Sequence, residues 1–279
     1  MTTQISSLLA GKSAIVTGAG RGIGEATAEL LAENGARVML CDIDPDAAQQ
    51  AAARIGRGAL CFACDLTLAG MPDALVHHAM ENFGGIDIII NNAGYTRAAR
   101  LEKMSDEAWQ AMLDIHVTAP FAILRAAAPH MIAAAGRERA DGREVFRKVV
   151  NISSTAAQGA PFLANYGAAK AAVIGLTRSL AKEWAEHKIN VNAVAFGAVD
   201  TRLTQQNEAT NFIEIGGEQV RLGLSERVRE TIVGENPFGR YATAQEAAGG
   251  VFLLCTPWSD WIHGQVLTVN GGQTGGMSV

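Results

Sequence analysis

The sequence lacks the features of several large classes of protein. It has 279 residues with 4 cysteines and 6 histidines, and no two histidines stand four residues apart, so we expect no metal site. The formal net charge is -5 and no block is rich in lysine and arginine, which argues against nucleic acid or an anionic membrane as the main partner. No apolar run is long enough for a membrane-spanning helix, and the first residues lack the basic start of a signal peptide. We therefore expect a cytoplasmic protein.

Two of the four cysteines, Cys61 and Cys64, form a Cys-x-x-Cys sequence. A redox pair of this kind stands at the start of a helix, and a zinc site needs a second pair of ligands. Residues 59–64 instead have the composition of a buried strand. We therefore interpret the cysteines as structural.

Short apolar segments alternate with helical segments along the chain. Residues 86–91 are almost all branched and apolar, which is typical of a strand buried on both faces of a parallel sheet. The predicted strands are 12–17, 36–42, 59–65, 86–91, 145–153, 189–195 and 265–269. The predicted helices are 22–34, 45–55, 71–83, 105–135 and 168–186. This order predicts a single α/β domain over residues 1–279, a Rossmann fold with a doubly wound, seven-stranded parallel sheet and helices on both faces.

Two stretches interrupt the alternation. Residues 136–148 are polar and charged, and we interpret them as a solvated surface insertion, with a docking patch for an acidic partner as the alternative. Residues 202–236 are long for a connection, and long loops in compact domains often act as lids. We expect a substrate lid there, which suits a bulky or extended substrate; an added contact between subunits is the alternative.

A glycine-rich segment, Thr17-Gly18-Ala19-Gly20-Arg21-Gly22-Ile23-Gly24, lies between the first predicted strand and the first predicted helix. Glycines at such a junction let the backbone turn tightly and approach a pyrophosphate, and the start of the helix offers free N–H groups. The spacing is G-x-x-x-G-x-G rather than the commoner G-x-G-x-x-G. The strand, the glycines, the helix and a later acidic residue together favour nucleotide binding over a structural turn.

The later acidic residue is Asp42, at the end of the second predicted strand. A carboxylate there accepts hydrogen bonds from the adenosine ribose and repels a 2′-phosphate, which favours NAD over NADP. Ile43 then lies on the adenine side. Arg21 argues the other way, since a guanidinium near the ribose binds a phosphate. We give Asp42 more weight because the end of the strand fixes its position.

Tyr166 is the only tyrosine with a lysine four residues later, at Lys170. Tyr166 opens an alanine-rich run, 168–186, which we expect to be a helix, so Tyr166 and Lys170 share a helix face one turn apart. A free phenol has a pKa of about 10, and a nearby ammonium group lowers it. Tyr166 can then exchange a proton with an alcohol or a ketone. The alternative is that Tyr166 packs and Lys170 is solvated.

Five motifs carry a resemblance to a known family. They are Thr17-Gly18-x-x-x-Gly22-x-Gly24, Asn91-Asn92-Ala93-Gly94, Asn151-Ile152-Ser153-Ser154, Tyr166-x-x-x-Lys170 and Val269-Asn270-Gly271-Gly272. They stand in the family's order over most of the chain, which resembles the short-chain dehydrogenases/reductases, most closely the 3-oxoacyl-(acyl-carrier-protein) reductase branch.

The resemblance implies a role for each matching residue. Tyr166 is the general acid/base, Lys170 lowers its pKa and holds the nicotinamide ribose, and a serine after the fifth strand binds the substrate oxygen. The other implied cofactor contacts are Asn92, Ala93 and Gly94, Asp65 and Leu66 near the adenine, and Gly197, Val199 and Thr201 near the nicotinamide. The resemblance also implies a homotetramer, which the alanine-rich faces of residues 105–135 and 168–186 suit.

Three positions leave choices open. The strand alignment selects Ser154 as the catalytic serine, whereas the usual spacing to the tyrosine selects Ser153; we choose Ser154. His116 stands where the family usually has an asparagine that ends a water relay to the lysine. It either titrates near neutral pH and joins the relay or only fills space. Phe196 replaces a usual proline before Gly197, which places an aromatic residue near the nicotinamide and makes the contacts of that loop less certain.

We expect an NAD-dependent oxidoreductase that interconverts a secondary alcohol and a ketone. The predicted lid offers few basic anchors, with Arg202 and Arg221 the nearest, so an apolar or acyl substrate is favoured over a small diacid. The alternatives are a 3-oxoacyl-thioester reductase and a non-catalytic NAD-binding regulatory module.

Overall fold

The strands of the main sheet run in the order β3-β2-β1-β4-β5-β6-β9, and all neighbours are parallel. The computed structural model describes residues 7–206, 211–215 and 217–273. The strands of this sheet are β1 (Ser13–Thr17), β2 (Arg37–Asp42), β3 (Leu60–Ala63), β4 (Ile88–Asn91), β5 (Arg147–Ser154), β6 (Ile189–Phe196) and β9 (Val266–Val269). An antiparallel hairpin of β7 (Phe212–Ile215) and β8 (Glu218–Arg221) lies outside it. The predicted doubly wound parallel sheet is confirmed.

Helices cover both faces of the sheet. These helices are α1 (Gly22–Glu33), α2 (Pro45–Ile55), α3 (Met71–Phe83), α4 (Asp106–Leu113), α5 (Ala119–Ala140), α6 (Ala164–Trp184) and α8 (Ala244–Leu253). A further helix, α7 (Glu226–Glu235), has no buried residue. Helices α1, α2 and α8 enclose one apolar core, and α3 to α6 enclose the other. Successive residues of a strand enter opposite cores, as Ile89 and Ile90 do. This explains the continuous apolar runs of the central strands.

The edge strand β3 departs from the prediction. It spans only Leu60–Ala63, and its side chains are partly exposed rather than buried. The reason is its place at the edge of the sheet, where β2 is its only neighbour among the strands that the structure describes. An isolated apolar segment does not reveal whether it lies in the centre or at the edge.

The polar stretch 136–148 is not one surface insertion. Helix α5 continues to Ala140, and Arg147 and Lys148 begin β5 with buried side chains. Arg147 donates to both carboxylate oxygens of Glu138, at 2.7 and 2.8 Å, and Lys148 Nζ contacts Asp260 Oδ1 at 2.6 Å. Their charges are therefore satisfied inside the protein, and the exposed part shrinks to the loop at 141–146.

One helical stretch, Asp106–Ala140, is long and apolar enough to cross a membrane by length and composition alone. Its buried side chains, among them Ile123, Leu124 and Met131, belong to the core beneath α3 and α6. It is therefore a core helix of this domain.

Candidate active site

The glycine-rich loop between β1 and α1 packs tightly against the end of β4. A Cβ atom on Gly18 would lie 2.8 Å from Ala93 Cα, and one on Gly24 would lie 2.6 Å from Asn92 Nδ2. Asn92 Nδ2 donates to the carbonyls of Thr17 and Gly18 at 2.9 and 3.0 Å. Glycine is thus required at both positions because the loop backbone lies so close to Asn92 and Ala93. The first turn of α1 faces the carboxyl edge of the sheet, where its free N–H groups can bind an anion.

The acidic residue after β2 is held by its own neighbours. Asp42 Oδ2 accepts from the N–H of Gly20 at 2.8 Å, and Oδ1 accepts from the N–H of Asp44 at 3.1 Å. Arg21 forms an ion pair with Asp44 at 2.8 Å. Although burial raises the pKa of Asp44, the N–H of Ala47 and the Arg21 guanidinium together hold that pKa below its ordinary value. The carboxylate of Asp42 is therefore fixed in place, and Arg21 is already engaged.

An open cleft of about 770 Å³ runs along this edge. It brings together most residues predicted to bind the cofactor: Gly18, Arg21, Gly22, Ile23, Gly24, Asp42, Ile43, Asp65, Leu66, Asn92, Ala93, Gly94 and Thr201. A dinucleotide fits the chemistry of this lining, since backbone N–H groups, a fixed carboxylate and apolar side chains follow one another along it.

Four residues predicted to bind the cofactor do not line this cleft: Tyr166, Lys170, Gly197 and Val199. Val199 is buried in the core beside α8. Phe196 is buried in the same core, so the expectation that it places an aromatic ring at the nicotinamide is wrong. The alternation of β6 turns its side chain away from the cleft.

The β7–β8 hairpin lies over the nucleotide end of the cleft. Its residues Phe212 to Ile215 form part of the cleft wall beside Asp42 and Asp65. Ile213 pairs with Val220, and Ile215 pairs with Glu218, so these four side chains share one face. Glu218 closes the hairpin onto the body through an ion pair with Arg97 at 2.7 Å. The hairpin thus places part of the stretch 202–236 in the cleft wall, and its role as a substrate lid stays a prediction.

Three polar side chains meet where β5 ends and α6 begins. Tyr166 and Lys170 lie one turn apart on α6, and the Ser154 hydroxyl lies beside the phenol of Tyr166, close enough to lower its pKa. Ser153 points away from them, since its buried hydroxyl donates to the carbonyl of Lys170 at 2.9 Å. The geometry therefore favours Ser154 over Ser153 as the serine that faces a substrate.

The electrostatics of this cluster differ from the expectation. Burial raises the pKa of Tyr166 above its ordinary value, although the Ser154 hydroxyl acts in the opposite direction. Burial also lowers the pKa of Lys170 to about 7. Lys170 Nζ donates to the carbonyl of Ile152 at 2.7 Å and lies 5.6 Å from the centre of the Tyr166 ring. Desolvation is thus the largest influence on the pKa values of both Tyr166 and Lys170.

His116 lies in a π-helical turn between α4 and α5, with 2% of its surface exposed. Its Nε2 donates to the carbonyl of Tyr95 at 2.8 Å, and its ring meets the edge of Tyr166 at 5.1 Å between centres. Burial and the positive charge of Lys170 place the pKa of His116 well below its ordinary value. Of the two alternatives for His116, this direction of the pKa favours a neutral ring over one that titrates near neutral pH. As a neutral ring that donates from Nε2, it presents Nδ1 as an acceptor, and this atom has no hydrogen-bond partner among the described residues.

Sequence reasoning missed two polar residues that hold the site together. Thr17 Oγ1 accepts from the N–H groups of Asn92 and Ala93, each at 3.0 Å. Asn165 is fully buried, its amide donates to the carbonyls of Arg97 and Ala108, and its oxygen accepts from the N–H of Tyr166. The sequence signal that could have identified Asn165 is its position directly before Tyr166.

A family model described as short chain dehydrogenase matches residues 12–211. The chain belongs to the short-chain dehydrogenase family. It is 35% identical over 273 residues to a 3-oxoacyl-(acyl-carrier-protein) reductase of Chlamydia muridarum, covering 96% of this chain and 99% of the relative. It is 36% identical over 265 residues to a sorbitol dehydrogenase of Cereibacter sphaeroides, covering 95% and 98%.

A solved member of the short-chain dehydrogenase family supports the same assignment. The 3-ketoacyl-(acyl-carrier-protein) reductase of Brucella melitensis, solved in complex with NADH, matches with a TM-score of 0.81 and 31% identity, covering 95% of this chain and 99% of that one. With the relatives, this match identifies the chain as a Rossmann-fold oxidoreductase that acts on CH–OH groups with a nicotinamide cofactor.

Proposed function

We propose that the protein is an NAD(H)-dependent oxidoreductase that interconverts a secondary alcohol and a ketone. The observation that carries the proposal is the contact between Ser154 and Tyr166, with Lys170 one turn away. This cluster and the cleft of Gly18, Asp42 and Asn92 are both built on the carboxyl ends of the parallel strands, which is where ligands bind in such sheets. A non-catalytic nucleotide-binding module has no need of this cluster.

In the oxidation direction, the phenolate of Tyr166 removes the proton of the substrate hydroxyl. Ser154 donates a hydrogen bond to the same oxygen and orients it. Lys170 stabilises the phenolate by its charge, and its hydrogen bond to Ile152 holds it beside the Tyr166 ring. The nicotinamide, when bound, supplies the hydride chemistry, and Gly18, Asn92 and Ala93 in the cleft wall would hold the dinucleotide.

The choice of NAD over NADP rests on the groups at the ribose end of the cleft. Asp42 is fixed there as a carboxylate acceptor, and a 2′-phosphate would meet its charge. Arg21 is paired with Asp44 rather than free for a phosphate. Arg202 also lines this part of the cleft and is the group that argues for NADP.

The test is a fluorescence titration of the purified protein with NADH and, separately, with NADPH. We expect NADH to bind at least about tenfold tighter, a difference of about 1.4 kcal/mol. Asp42→Asn keeps the acceptor oxygen and removes the charge, so the preference should fall, whereas Asp46→Asn, in the exposed first turn of α2, should leave it unchanged. Tighter binding of NADPH by the wild type contradicts the NAD assignment, and binding of neither contradicts the proposed function.

A second candidate is reduction of 3-oxoacyl thioesters, because the Chlamydia and Brucella relatives are named as 3-oxoacyl reductases. An acidic carrier protein needs a basic surface, and the burial of Arg147 and Lys148 removes two cations from the stretch that we had considered for docking. Rates with a 3-oxoacyl thioester and with a panel of secondary alcohols separate the two candidates. A thioester rate that exceeds the best alcohol rate favours the second.

We also propose that the protein is a cytoplasmic homotetramer. Trp109 of α4 and Phe121 of α5 are large apolar side chains that stay exposed in the single chain, which supports packing of the α4–α5 and α6 faces against a second copy. A mass in solution equal to one chain at micromolar concentration contradicts the assembly.

A further inference from the structure

Two thiols meet beside the proposed nucleotide site. Cys41 is the next-to-last residue of β2, and Cys64 directly follows β3. Their Sγ atoms are 3.6 Å apart. Disulfide geometry joins sulfur atoms at about 2.05 Å, so a rotation of the side chains and a small movement of the strand ends would bring them to bonding distance.

The Cys-x-x-Cys sequence does not identify this pair. In a strand, residues three apart point to opposite faces, and Cys61 packs with the core beneath α1 while Cys64 packs with the core beneath α3. Cys41 lies in the same core as Cys64 because β2 and β3 are neighbours. Pairing across the two strands is therefore possible, and pairing along β3 is not.

The two thiols differ in access and in acidity. Cys64 forms part of the cleft wall, whereas Cys41 is completely buried. The hydrogen bond from Cys41 lowers the pKa of Cys64, although burial and the nearby carboxylates act against it. The same hydrogen bond and burial raise the pKa of Cys41. Cys64 is thus the accessible thiol that ionises more easily, with a protonated thiol behind it.

We propose that Cys64 and Cys41 form a peroxide-sensitive thiol pair whose oxidation to a disulfide weakens nucleotide binding. The Cys64 thiolate attacks hydrogen peroxide, the O–O bond breaks, and a sulfenic acid and hydroxide form. The Cys41 sulfur then attacks the Cys64 sulfur, and the hydroxyl of the sulfenic acid takes the Cys41 proton and leaves as water. The hydroxide from the first step takes up the proton that Cys64 released when it ionised, which gives the second water. One peroxide is reduced to two waters, and two thiols are oxidised to one disulfide.

The effect on binding follows from what the two strand ends hold, and this part rests on the proposed function. The carbonyl of Cys41 accepts from the N–H of Ala19 in the glycine-rich loop at 3.1 Å, and the next residue is Asp42. The N–H of Cys64 donates to the carbonyl of Asp42 at 3.0 Å, and the next residue is Asp65. Drawing the two sulfur atoms together by about 1.5 Å, to the bond length of a disulfide, therefore moves both carboxylates and the base of the glycine loop.

The experiment treats the reduced full-length protein with hydrogen peroxide, maps disulfides by peptide mass spectrometry, and measures NADH affinity before and after. We expect a Cys41–Cys64 disulfide, an NADH dissociation constant at least tenfold higher, and recovery with dithiothreitol. Cys64→Ser and Cys41→Ser should each abolish both effects. Cys61→Ser is the matched control from the same strand and should retain them. NADH bound during the treatment should slow the oxidation, because Cys64 lies in the cleft wall.

Three results overturn the inference: no Cys41–Cys64 disulfide, a disulfide that leaves NADH affinity unchanged, or equal loss of affinity in Cys64→Ser. The mapping needs no cofactor, so it tests the pairing by itself. If the reduced protein fails to bind NADH, the proposed function fails, and so does the claimed effect on binding, whatever the mapping shows.

Discussion

Replacing Gly94 by alanine tests the packing at the back of the proposed site. A Cβ atom on Gly94 would lie 2.7 Å from Nδ1 of His116 and still closer to Cε1. The ring cannot move away easily, because Nε2 is bonded to the carbonyl of Tyr95 and the ring meets Tyr166. Overpacking of this kind costs roughly 1–3 kcal/mol, and the depth of the overlap places it at the upper end. The φ angle of Gly94 is not positive, so alanine can adopt this backbone conformation without strain. Alanine also lowers the conformational entropy of the unfolded chain, which offsets about 0.5 kcal/mol of the cost.

We therefore expect Gly94→Ala to lower the free energy of unfolding by about 2 kcal/mol. The same change in a His116→Ala background should cost almost nothing, because the ring is gone, which gives a coupling energy of about 2 kcal/mol. The assay is urea unfolding of all four proteins at one protein concentration. Gly85→Ala, where a Cβ meets no atom within 4 Å, is the control and should change stability by less than about 0.5 kcal/mol. Equal destabilisation by Gly94→Ala in both backgrounds would refute the reasoning.

Three further predictions concern the hairpin, the helix that carries the tyrosine, and the lysine. Glu218→Gln removes the half-exposed ion pair with Arg97 that holds the hairpin to the body, a contact worth up to about 1 kcal/mol. In stopped flow, NADH should therefore dissociate roughly two- to fivefold faster from the variant than from the wild type. The control Glu226→Gln, at an exposed position, should leave the dissociation rate unchanged. Asn165→Ala removes three hydrogen bonds of a fully buried side chain and should lower the free energy of unfolding in urea by about 3 kcal/mol. The control Asn82→Ala, at an exposed position, should lower it by less than about 0.5 kcal/mol. The pKa of Lys170 falls from 10.5 in the unfolded chain to about 7 in the folded protein. Between pH 7 and 10.5 the lysine is therefore protonated in the unfolded chain and neutral in the folded protein, so stability rises with pH. Relative to Lys170→Met, the wild type should therefore gain about 2 kcal/mol from pH 7.5 to 9.5, and no relative gain in that window contradicts the shift.

The alternation of strands and helices could be predicted because each signal is local. Helix α2 begins and ends as predicted, since Asp44 caps it and Pro45 opens it, with Gly56 after its last turn. Helix α3 ends where Gly84 adopts a left-handed conformation. Buried parallel strands can be predicted from their composition, because both faces of each strand are apolar. Fold class and most of the nucleotide cleft follow from these signals and the glycine spacing.

The remaining features depend on contacts between distant segments. The pairing of Cys41 with Cys64 requires the strand order, which places β2 beside β3. The raised pKa of Tyr166 and the lowered pKa of His116 depend on burial, which helix spacing does not specify. The hairpin over the cleft had a local signal, the alternation of Ile213, Glu214 and Ile215, but the cleft that it covers only exists in the folded chain.

Proton transfer by Tyr166 is the central claim, and Tyr166→Phe tests it most directly. The measurement is the steady-state rate of NADH formation from NAD with the best substrate of a secondary-alcohol panel, together with the NADH dissociation constant. Because general acid–base catalysis contributes roughly 10²–10⁴-fold, we expect the variant to lose at least about a hundredfold in kcat, with NADH affinity within about twofold of the wild type. A Tyr166→Phe protein that keeps the wild-type kcat contradicts the account.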